Sequence, residues 1–275
     1  SSVGAIAVAP SNPNLVWVGT GEANIRNDVI PGAGVYLSSD GGRTWRSMGL
    51  KKVGQIGRIV IDPHDPDHVV VAALGQEWTP NPERGVFVTT DGGKSWSKSL
   101  YVDDHAGAID VAMQPGNGQE LFAAMWQAGR RPWTLHDGGP GSGIWRSTDG
   151  GATWKRLREG LPTRTVGRIG LAIAPSDPER IYAVLETSIG KGSLFASDDL
   201  GDHWHEVSDN HAYNVRGFYF TTLAVAPDDP DRLYFLGFQL VESDDGGKTA
   251  HVIDRTVHVD HHYLWIDPTD PRRMI

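Results

Sequence analysis

The octapeptide SSDGGRTW at residues 38–45 decides the fold, because a version of it returns four more times along the chain. The clear copies are TTDGGKSW at 89–96 and STDGGATW at 147–154, and the degenerate copies are SDDLGDHW at 197–204 and SDDGGKTA at 243–250. A motif that returns at intervals of about fifty residues marks one supersecondary unit copied along the chain. The repeat therefore predicts the fold before any single strand is assigned.

Each copy lies between two strand-like runs, so the octapeptide is predicted to form a hairpin turn. The carboxylate of its aspartate can accept bonds from the backbone N–H groups that follow, and its glycine can adopt positive φ. The tryptophan begins the next strand with a large apolar ring. Five similar copies indicate a structural role, because an active site needs one asymmetric set of groups. The structural aspartates are Asp40, Asp91, Asp149, Asp199 and Asp245.

A second pattern accompanies every octapeptide: a strand-like run, a turn that contains proline and another run, as in AIAVAPSNPNLVWVG at 5–19. Each unit then has four antiparallel strands, A to D, which is the blade of a β-propeller. We predict an all-β propeller with five complete blades and the start of a sixth, forming one incomplete domain over 1–275. The predicted blades span 3–50, 53–102, 106–160, 164–209 and 215–254, with a partial blade at 262–275.

The composition narrows the classes of function. No run approaches the roughly 20 apolar residues that cross a membrane, and a net charge of −9 argues against nucleic-acid binding. The absence of cysteine excludes disulfides, thiolate metal sites and cysteine nucleophiles. We therefore expect neither a nucleic-acid partner nor membrane insertion.

The two ends of the chain lead to a further expectation. The chain begins SSVGAIAV, with neither methionine nor signal peptide, and its sixth unit stops within the second strand. An incomplete propeller leaves one sheet face uncovered. We expect the rest of a longer chain, or another chain, to complete the propeller.

The loops between strands B and C differ most between units, and a binding site is expected there. In a four-stranded blade these loops and the D–A loops share one face of the propeller, and variation on one face of a rigid scaffold is typical of binding sites. Three of them are long: GTGEANIRNDVIPGAG at 19–34, LGQEWTPNPERG at 74–85 and WQAGRRPWTLHDGGPGSG at 126–143.

Aromatic and cationic side chains on this face are candidates for ligand binding. Exposed tryptophans beside arginine suit stacking on sugars or holding a peptide, although they could equally pin the loop from beneath. Two arginines in GRI sequences could clamp a carboxylate-bearing ligand, or serve as structural groups paired with acidic neighbours. The candidate ligand-binding residues are Arg58, Trp78, Arg84, Trp126, Arg130, Arg131, Trp133, His136 and Arg168.

Acidic side chains in the same loops suggest a second kind of chemistry. Two carboxyl groups facing each other across a cleft can act as general acid and as base or nucleophile in glycoside hydrolysis. The alternative is that these carboxylates are solvated or ion-paired. The candidate catalytic residues are Glu22, Asp28, Glu77, Glu83 and Asp137.

The sequence HVDHH at 258–262 is the most unusual local cluster. Its imidazoles and carboxylate could bind zinc or another transition metal. Neighbouring residues seldom converge on one ion, so hydrogen bonds that fix the loop are the alternative. We expect no cofactor, and the candidates for a divalent metal are His258, Asp260, His261 and His262.

The SxDxGxTW turns resemble the Asp-box, or BNR repeat, of sialidases, xyloglucanases, sortilin-type receptor domains and photosystem II assembly factors. The wider sequence, including VGTGEANIRND, GQIGRIVIDP and AAMWQAGRRPW, resembles large exported bacterial proteins described as BNR-repeat glycosyl hydrolases or as similar to the sortilin N-terminal domain. The resemblance implies a propeller of seven or more blades, of which this chain is a segment, and a periplasmic or secreted location. Sialidases carry an FRIP-type motif, where this chain has GRI.

These observations predict an extracytoplasmic binding or scaffold propeller that recognises protein or glycan through its B–C and D–A loops. The alternative is a glycoside hydrolase, similar to sialidases or xyloglucanases, that uses carboxylates on the same face.

Overall fold

The computed structural model describes residues 2–188, 191–253 and 258–275, which form five antiparallel sheets. The first sheet contains β1 (Val3–Ala9), β2 (Asn12–Thr20), β3 (Val35–Ser38) and β4 (Arg46–Ser47). The second contains β5 (Gln55–Ile61), β6 (Val69–Gly75), β7 (Gly85–Thr89) and β8 (Ser97–Leu100). The third contains β9 (Ala106–Gln114), β10 (Asn117–Arg131), β11 (Thr134–Asp137), β12 (Gly143–Ser147) and β13 (Lys155–Arg156).

The remaining two sheets each contain four strands that pair in chain order, as in the first and second sheets. The fourth contains β14 (Ile169–Ile173), β15 (Ile181–Ser188), β16 (Lys191–Ser197) and β17 (His205–Ser208). The fifth contains β18 (Thr222–Val225), β19 (Leu233–Leu236), β20 (Leu240–Ser243) and β21 (His251–Val252). The predicted all-β fold of four-stranded antiparallel units is therefore confirmed.

The chain divides into two compact units, Ser1–Arg156 and Leu157–Ile275. The first three sheets belong to the first unit and the last two to the second. Near the end of the second unit, Trp265 and Ile275 exchange backbone hydrogen bonds of 2.8 and 2.9 Å. The predicted single domain and its blade boundaries stay predictions. Within the described residues, no helix has the length and apolar character needed to cross a membrane.

Strand β6 shows how the sheets of the first unit pack. All seven of its residues are buried, because alternate side chains point to opposite faces and both faces are covered. Val69 and Val71 pack with the first sheet, and Val70 and Ala72 pack with the third. The central strand of the first unit is therefore continuously apolar, without the alternation of a half-exposed strand.

The first sheet has one apolar face that the described residues leave open. Ile6 and Val8 on β1 are 58% and 51% exposed. By the repeat they correspond to Ile59 and Ile61 on β5, which are 3% and 7% exposed and pack against the first sheet. Equivalent positions thus have opposite environments in two neighbouring sheets.

All five octapeptides form the same hydrogen-bonded turn. In the first, Ser38 Oγ donates to Asp40 Oδ1 at 2.7 Å and accepts from the Gly42 N–H at 2.8 Å. Thr44 donates to the same carboxylate through its N–H and its hydroxyl, at 2.9 and 2.6 Å. These bonds lower the pKa of Asp40 to about 2. The carboxylates of these aspartates accept hydrogen bonds from residues of their own turns, which is the structural role that the sequence predicts.

The third sheet departs from the predicted loop at 126–143. Strand β10 continues to Arg131 and pairs with β11, with Ala128 opposite Asp137 and Arg131 opposite Thr134. Much of the segment is thus a β-hairpin that extends the blade, with Pro132 and Trp133 at its tip. The prediction of a loop is wrong over 128–131 and 134–137, because these residues satisfy their backbone groups by strand pairing.

Candidate functional site

The three long loops of the first unit meet at one place, called here the loop junction: residues 19–34, residues 74–85 and the hairpin at 126–137. Arg130 on the hairpin joins all three. Its backbone N–H donates to the carbonyl of Glu77 at 3.0 Å, and its Nε donates to Asn27 Oδ1 at 2.7 Å. The structure therefore brings together the three segments in which a site was expected.

Arg84 belongs to the second loop of the junction and is 1% exposed. It donates to the carbonyls of His105 and Ala128 at 3.1 Å each, and to that of Gln76 at 2.7 Å. Its burial lowers the pKa of the guanidinium to about 10. The prediction that Arg84 binds ligand is corrected, because a buried side chain bonded to three backbone carbonyls is a structural clamp.

The space that Arg84 occupies depends on a glycine in β6. Gly75 has φ of 83°, and a Cβ at that position would lie 2.3 Å from Cγ of Arg84. A side chain is therefore excluded both by the left-handed backbone and by the arginine. Position 75 links the end of the central strand to the loop that carries Glu77.

Glu77 is 2% exposed, and neither of its carboxyl oxygens has a hydrogen-bond partner within the described residues. Its burial raises the pKa to about 8. Arg130 opposes this rise, and the nearby Glu22 carboxylate adds to it. Burial therefore favours the uncharged form of Glu77 and separates its carboxyl group from a ligand on the surface.

Glu22 and Asp28 belong to the first loop and remain reachable. Glu22 is half-buried, and its pKa is raised by that burial, opposed by Arg26 and supported by Asp28. The side chain of Asp28 is 75% exposed, with Arg26 Nε at 3.5 Å from its Oδ1. Glu22 and Asp28 thus interact electrostatically, but one is half-buried and the other is exposed. Such a difference in environment lets one carboxyl group act as an acid and the other as a base.

The two other acidic candidates are placed differently. Asp137 accepts a hydrogen bond from the indole Nε1 of Trp126 at 2.9 Å, across the hairpin. Glu83 is half-buried beside Arg84 in the second loop. Asp137 thus holds the hairpin together.

The aromatic candidates separate by exposure. Trp126 is fully buried, so the prediction of an exposed platform there is wrong, because the extension of β10 carries this residue into the interior. Trp78 is half-buried. Trp133 at the hairpin tip is 78% exposed, and Arg131 and His136 beside it are also exposed. Trp133 is therefore the tryptophan of this hairpin on which a ligand can stack.

The two arginines of the GRI sequences have protein partners. Arg58 Nε lies 2.9 Å from Asp110 Oδ1, in an ion pair between β5 and β9. Arg168 is 7% exposed and donates to the carbonyls of Phe218 and Tyr219 at 3.3 and 3.0 Å. These contacts support the structural alternative for both arginines over a ligand clamp.

The HVDHH segment is fixed by packing and backbone bonds. The ring of His262 stacks on Phe220 with centroids 4.9 Å apart, and its Nε2 lies 3.4 Å from Asp260 Oδ1. The N–H groups of Asp260 and His261 donate to carbonyls at positions 238 and 237. Among the described residues, the four candidates do not bring three ligand atoms within 4.8 Å of one another.

A different acidic group has ligand atoms at that spacing. Glu242, Asp244 and His251 in the fifth sheet each offer one within 4.8 Å of the others. Sequence reasoning missed it, although Glu242 and His251 are direct cross-strand partners. Asp244 is also in an ion pair with Arg232 Nε at 3.3 Å. Sequence reasoning also missed Asn27, which accepts a hydrogen bond from Arg130, because a neutral amide in a loop has no distinctive sequence pattern.

Two family models match the chain. Residues 87–98 match the BNR/Asp-box repeat, and residues 142–273 match the model described as Sortilin, neurotensin receptor 3. The predicted resemblance to Asp-box propeller proteins is confirmed by these matches.

The chain is also similar to curated xyloglucanases. A xyloglucanase of Paenibacillus sp is 29% identical over 261 residues, covering 90% of this chain and 22% of the relative. The xyloglucanase Xgh74A of Acetivibrio thermocellus is 25% identical over 284 residues, covering 90% of this chain and 32% of the relative. The chain thus spans less than a third of the length of these two relatives.

Among solved structures, the crystal structure of an ancestral GH74 enzyme is similar to the chain. The TM-score is 0.73 at 16% sequence identity, over 98% of this chain and 34% of that chain. At this identity the likeness concerns the fold. It agrees with the propeller-type architecture that the five sheets show.

Proposed function

We propose that this chain forms part of a glycoside hydrolase, and that the loop junction of its first unit binds and cleaves a xyloglucan-type polysaccharide. The observation that carries the proposal is the pair of reachable carboxyl groups in different environments, Glu22 and Asp28. The similarity to xyloglucanases supports a glycan as the ligand.

In this proposal the two carboxyl groups divide the chemistry. Glu22, whose pKa is raised by partial burial, donates its proton to the glycosidic oxygen as the bond to the leaving sugar breaks. Asp28 either attacks the anomeric carbon as nucleophile, forming a glycosyl-enzyme that water then hydrolyses, or takes a proton from the water that attacks this carbon. Trp133 offers an exposed ring on which a sugar can stack.

The same proposal places the chain outside the cytoplasm, as its resemblance to exported Asp-box proteins implies. In this proposal the partner is a glycan. The two xyloglucanase relatives contain further sequence, since the matched regions cover 22% and 32% of them. The binding or scaffold function predicted from the sequence differs from the proposed hydrolase in one respect: a scaffold binds glycan or protein without cleaving it.

The experiment is a paired binding and cleavage assay with xyloglucan, and with an α-linked glucan as the control polysaccharide. We expect calorimetric binding of xyloglucan and release of reducing ends, and neither with the control. Binding without cleavage would favour the scaffold function. Absence of binding to xyloglucan would contradict the proposal.

A further inference from the structure

We infer that Glu77 is a positioning residue: the loop junction stays closed while its buried carboxyl group is uncharged, and loss of the proton opens the junction. The inference rests on the proposed function, because it concerns the same three loops. Glu77 does not touch the surface on which a glycan would lie. Its effect would reach Glu22 and Asp28 through the segments it holds together.

The backbone on either side of the Glu77 side chain is fixed. The Glu77 carbonyl accepts the N–H of Arg130, whose Nε in turn donates to Asn27. The preceding carbonyl, of Gln76, accepts bonds from Arg84 at 2.7 Å and from Asn81 Nδ2 at 3.0 Å. The backbone that carries the Glu77 side chain therefore takes part in the bonds that join the loops.

Four charged or titratable groups face Glu77 from the elements around it. Arg130 comes from β10 and Arg84 from the end of the second loop, while Glu22 and Asp28 come from the first loop. The two arginines attract a carboxylate and the two acids repel it. Both guanidinium groups also donate to other acceptors: the two Nη atoms of Arg84 to three backbone carbonyls and Nε of Arg130 to Asn27. Arg84 Nε is buried and has no hydrogen-bond partner among the described residues.

A charged Glu77 would therefore be a buried carboxylate with no hydrogen-bond donor from the described residues. Such a group is strongly unfavourable unless water reaches it. The burial that raises its pKa to about 8 implies that the proton leaves for solvent just above neutral pH. The least costly way to hydrate the carboxylate is to separate the hairpin from residues 74–85, which breaks the bond between Arg130 and Glu77.

Hydrogen–deuterium exchange at the Arg130 amide tests this opening directly, without any glycan. The wild type is compared with Glu77→Gln, which keeps the shape and cannot ionise, and with Glu83→Gln as the matched control in the same loop. Measuring the three proteins at the same pH removes the intrinsic effect of pH on exchange. At pH 4, below the ordinary value of 4.5, we expect equal protection in all three.

At pH 9, about one unit above the pKa of Glu77, we expect about tenfold faster exchange in the wild type and in Glu83→Gln than in Glu77→Gln. Equal protection in all three proteins would overturn the inference. Because the readout is exchange, this failure is distinct from failure of the proposed function, which the xyloglucan assay reports separately.

A second measurement needs no variant and covers the case in which Glu77→Gln does not fold. The carboxyl carbon of Glu77 is followed by NMR in the wild type as pH rises, together with the amide of Arg130. A midpoint near 8 that coincides with a shift at Arg130 supports the inference. A midpoint near the ordinary 4.5, or titration without any change at Arg130, overturns it.

Discussion

At the scale of single residues, two kinds of carboxyl group in this chain are perturbed in opposite directions. The turn aspartates accept hydrogen bonds from their own octapeptides, so the pKa of Asp40 falls to about 2. Glu77 has no such donor among the described residues and is buried, so its pKa rises to about 8. Hydrogen bonding stabilises the charge in one case, and desolvation removes it in the other.

The serine of the octapeptide is predicted to matter for stability. Ser147 is 1% exposed, and its hydroxyl donates to Asp149 Oδ1 at 2.8 Å and accepts from the Gly151 N–H at 2.9 Å. Ser147→Ala leaves a buried N–H without its partner, so we expect the free energy of unfolding to fall by about 1–3 kcal/mol. Denaturant unfolding measures the loss, with exposed Thr148→Ala as control. Equal stability of the two variants would contradict this account of the turn.

Glu77 is predicted to make stability fall as pH rises. Its pKa in the folded chain is about 8 and its ordinary value is 4.5, so the folded state keeps the proton more tightly. The stabilisation is complete below pH 4.5 and is lost as pH approaches 8. We expect the difference in melting temperature between wild type and Glu77→Gln to decline over that range. A constant difference from pH 4.5 to 8 would be incompatible with a buried neutral acid.

At the scale of elements, the repeat predicts strands and turns well, and it predicts the loops between them poorly. The octapeptides and the proline-containing turns recur, so each copy supports the assignment of the others. The segment 126–143 differs from its counterparts in the other units, and the sequence predicts it only as a long loop. The extension of β10 into a hairpin depends on pairing with β11, which no local pattern reveals.

Equivalent residues in neighbouring sheets are predicted to differ in their contribution to stability. Ile59 is 3% exposed in the second sheet, whereas Ile6 is 58% exposed in the first. Ile59→Ala should lower the free energy of unfolding by about 2–5 kcal/mol, and Ile6→Ala by less than about 1 kcal/mol. Chemical denaturation of the chain measures both. Similar losses would mean that the face carrying Ile6 is covered.

The hairpin tip is predicted to contribute to binding and not to folding. Trp133 is 78% exposed, so Trp133→Ala should leave the melting temperature unchanged. If the ring stacks on a sugar, the Kd for xyloglucan should rise about tenfold. Trp45→Ala on an octapeptide turn, where the ring is 44% exposed, is the matched control and should bind normally. Equal binding by both variants would exclude Trp133 from the ligand surface.

At the scale of the whole molecule, the sequence predicts the architecture and the segments of the candidate site, but not the state of each side chain. The three long loops are evident from the repeat, and the structure joins them through Arg130. That Arg84 and Trp126 are buried follows from how the hairpin closes over the second loop, which is a property of tertiary packing. Glu22 and Glu77 look alike in sequence and differ only in burial.

The measurement that tests the central claim most directly is the rate of xyloglucan cleavage by Glu22→Gln. Glu206→Gln, an exposed glutamate in β17, is the matched control. If Glu22 is the proton donor, its variant should lose about 10²- to 10⁴-fold in kcat while still binding xyloglucan. The control should cleave at the wild-type rate. Cleavage by Glu22→Gln at the rate of the control would contradict the claim that the loop junction performs the chemistry.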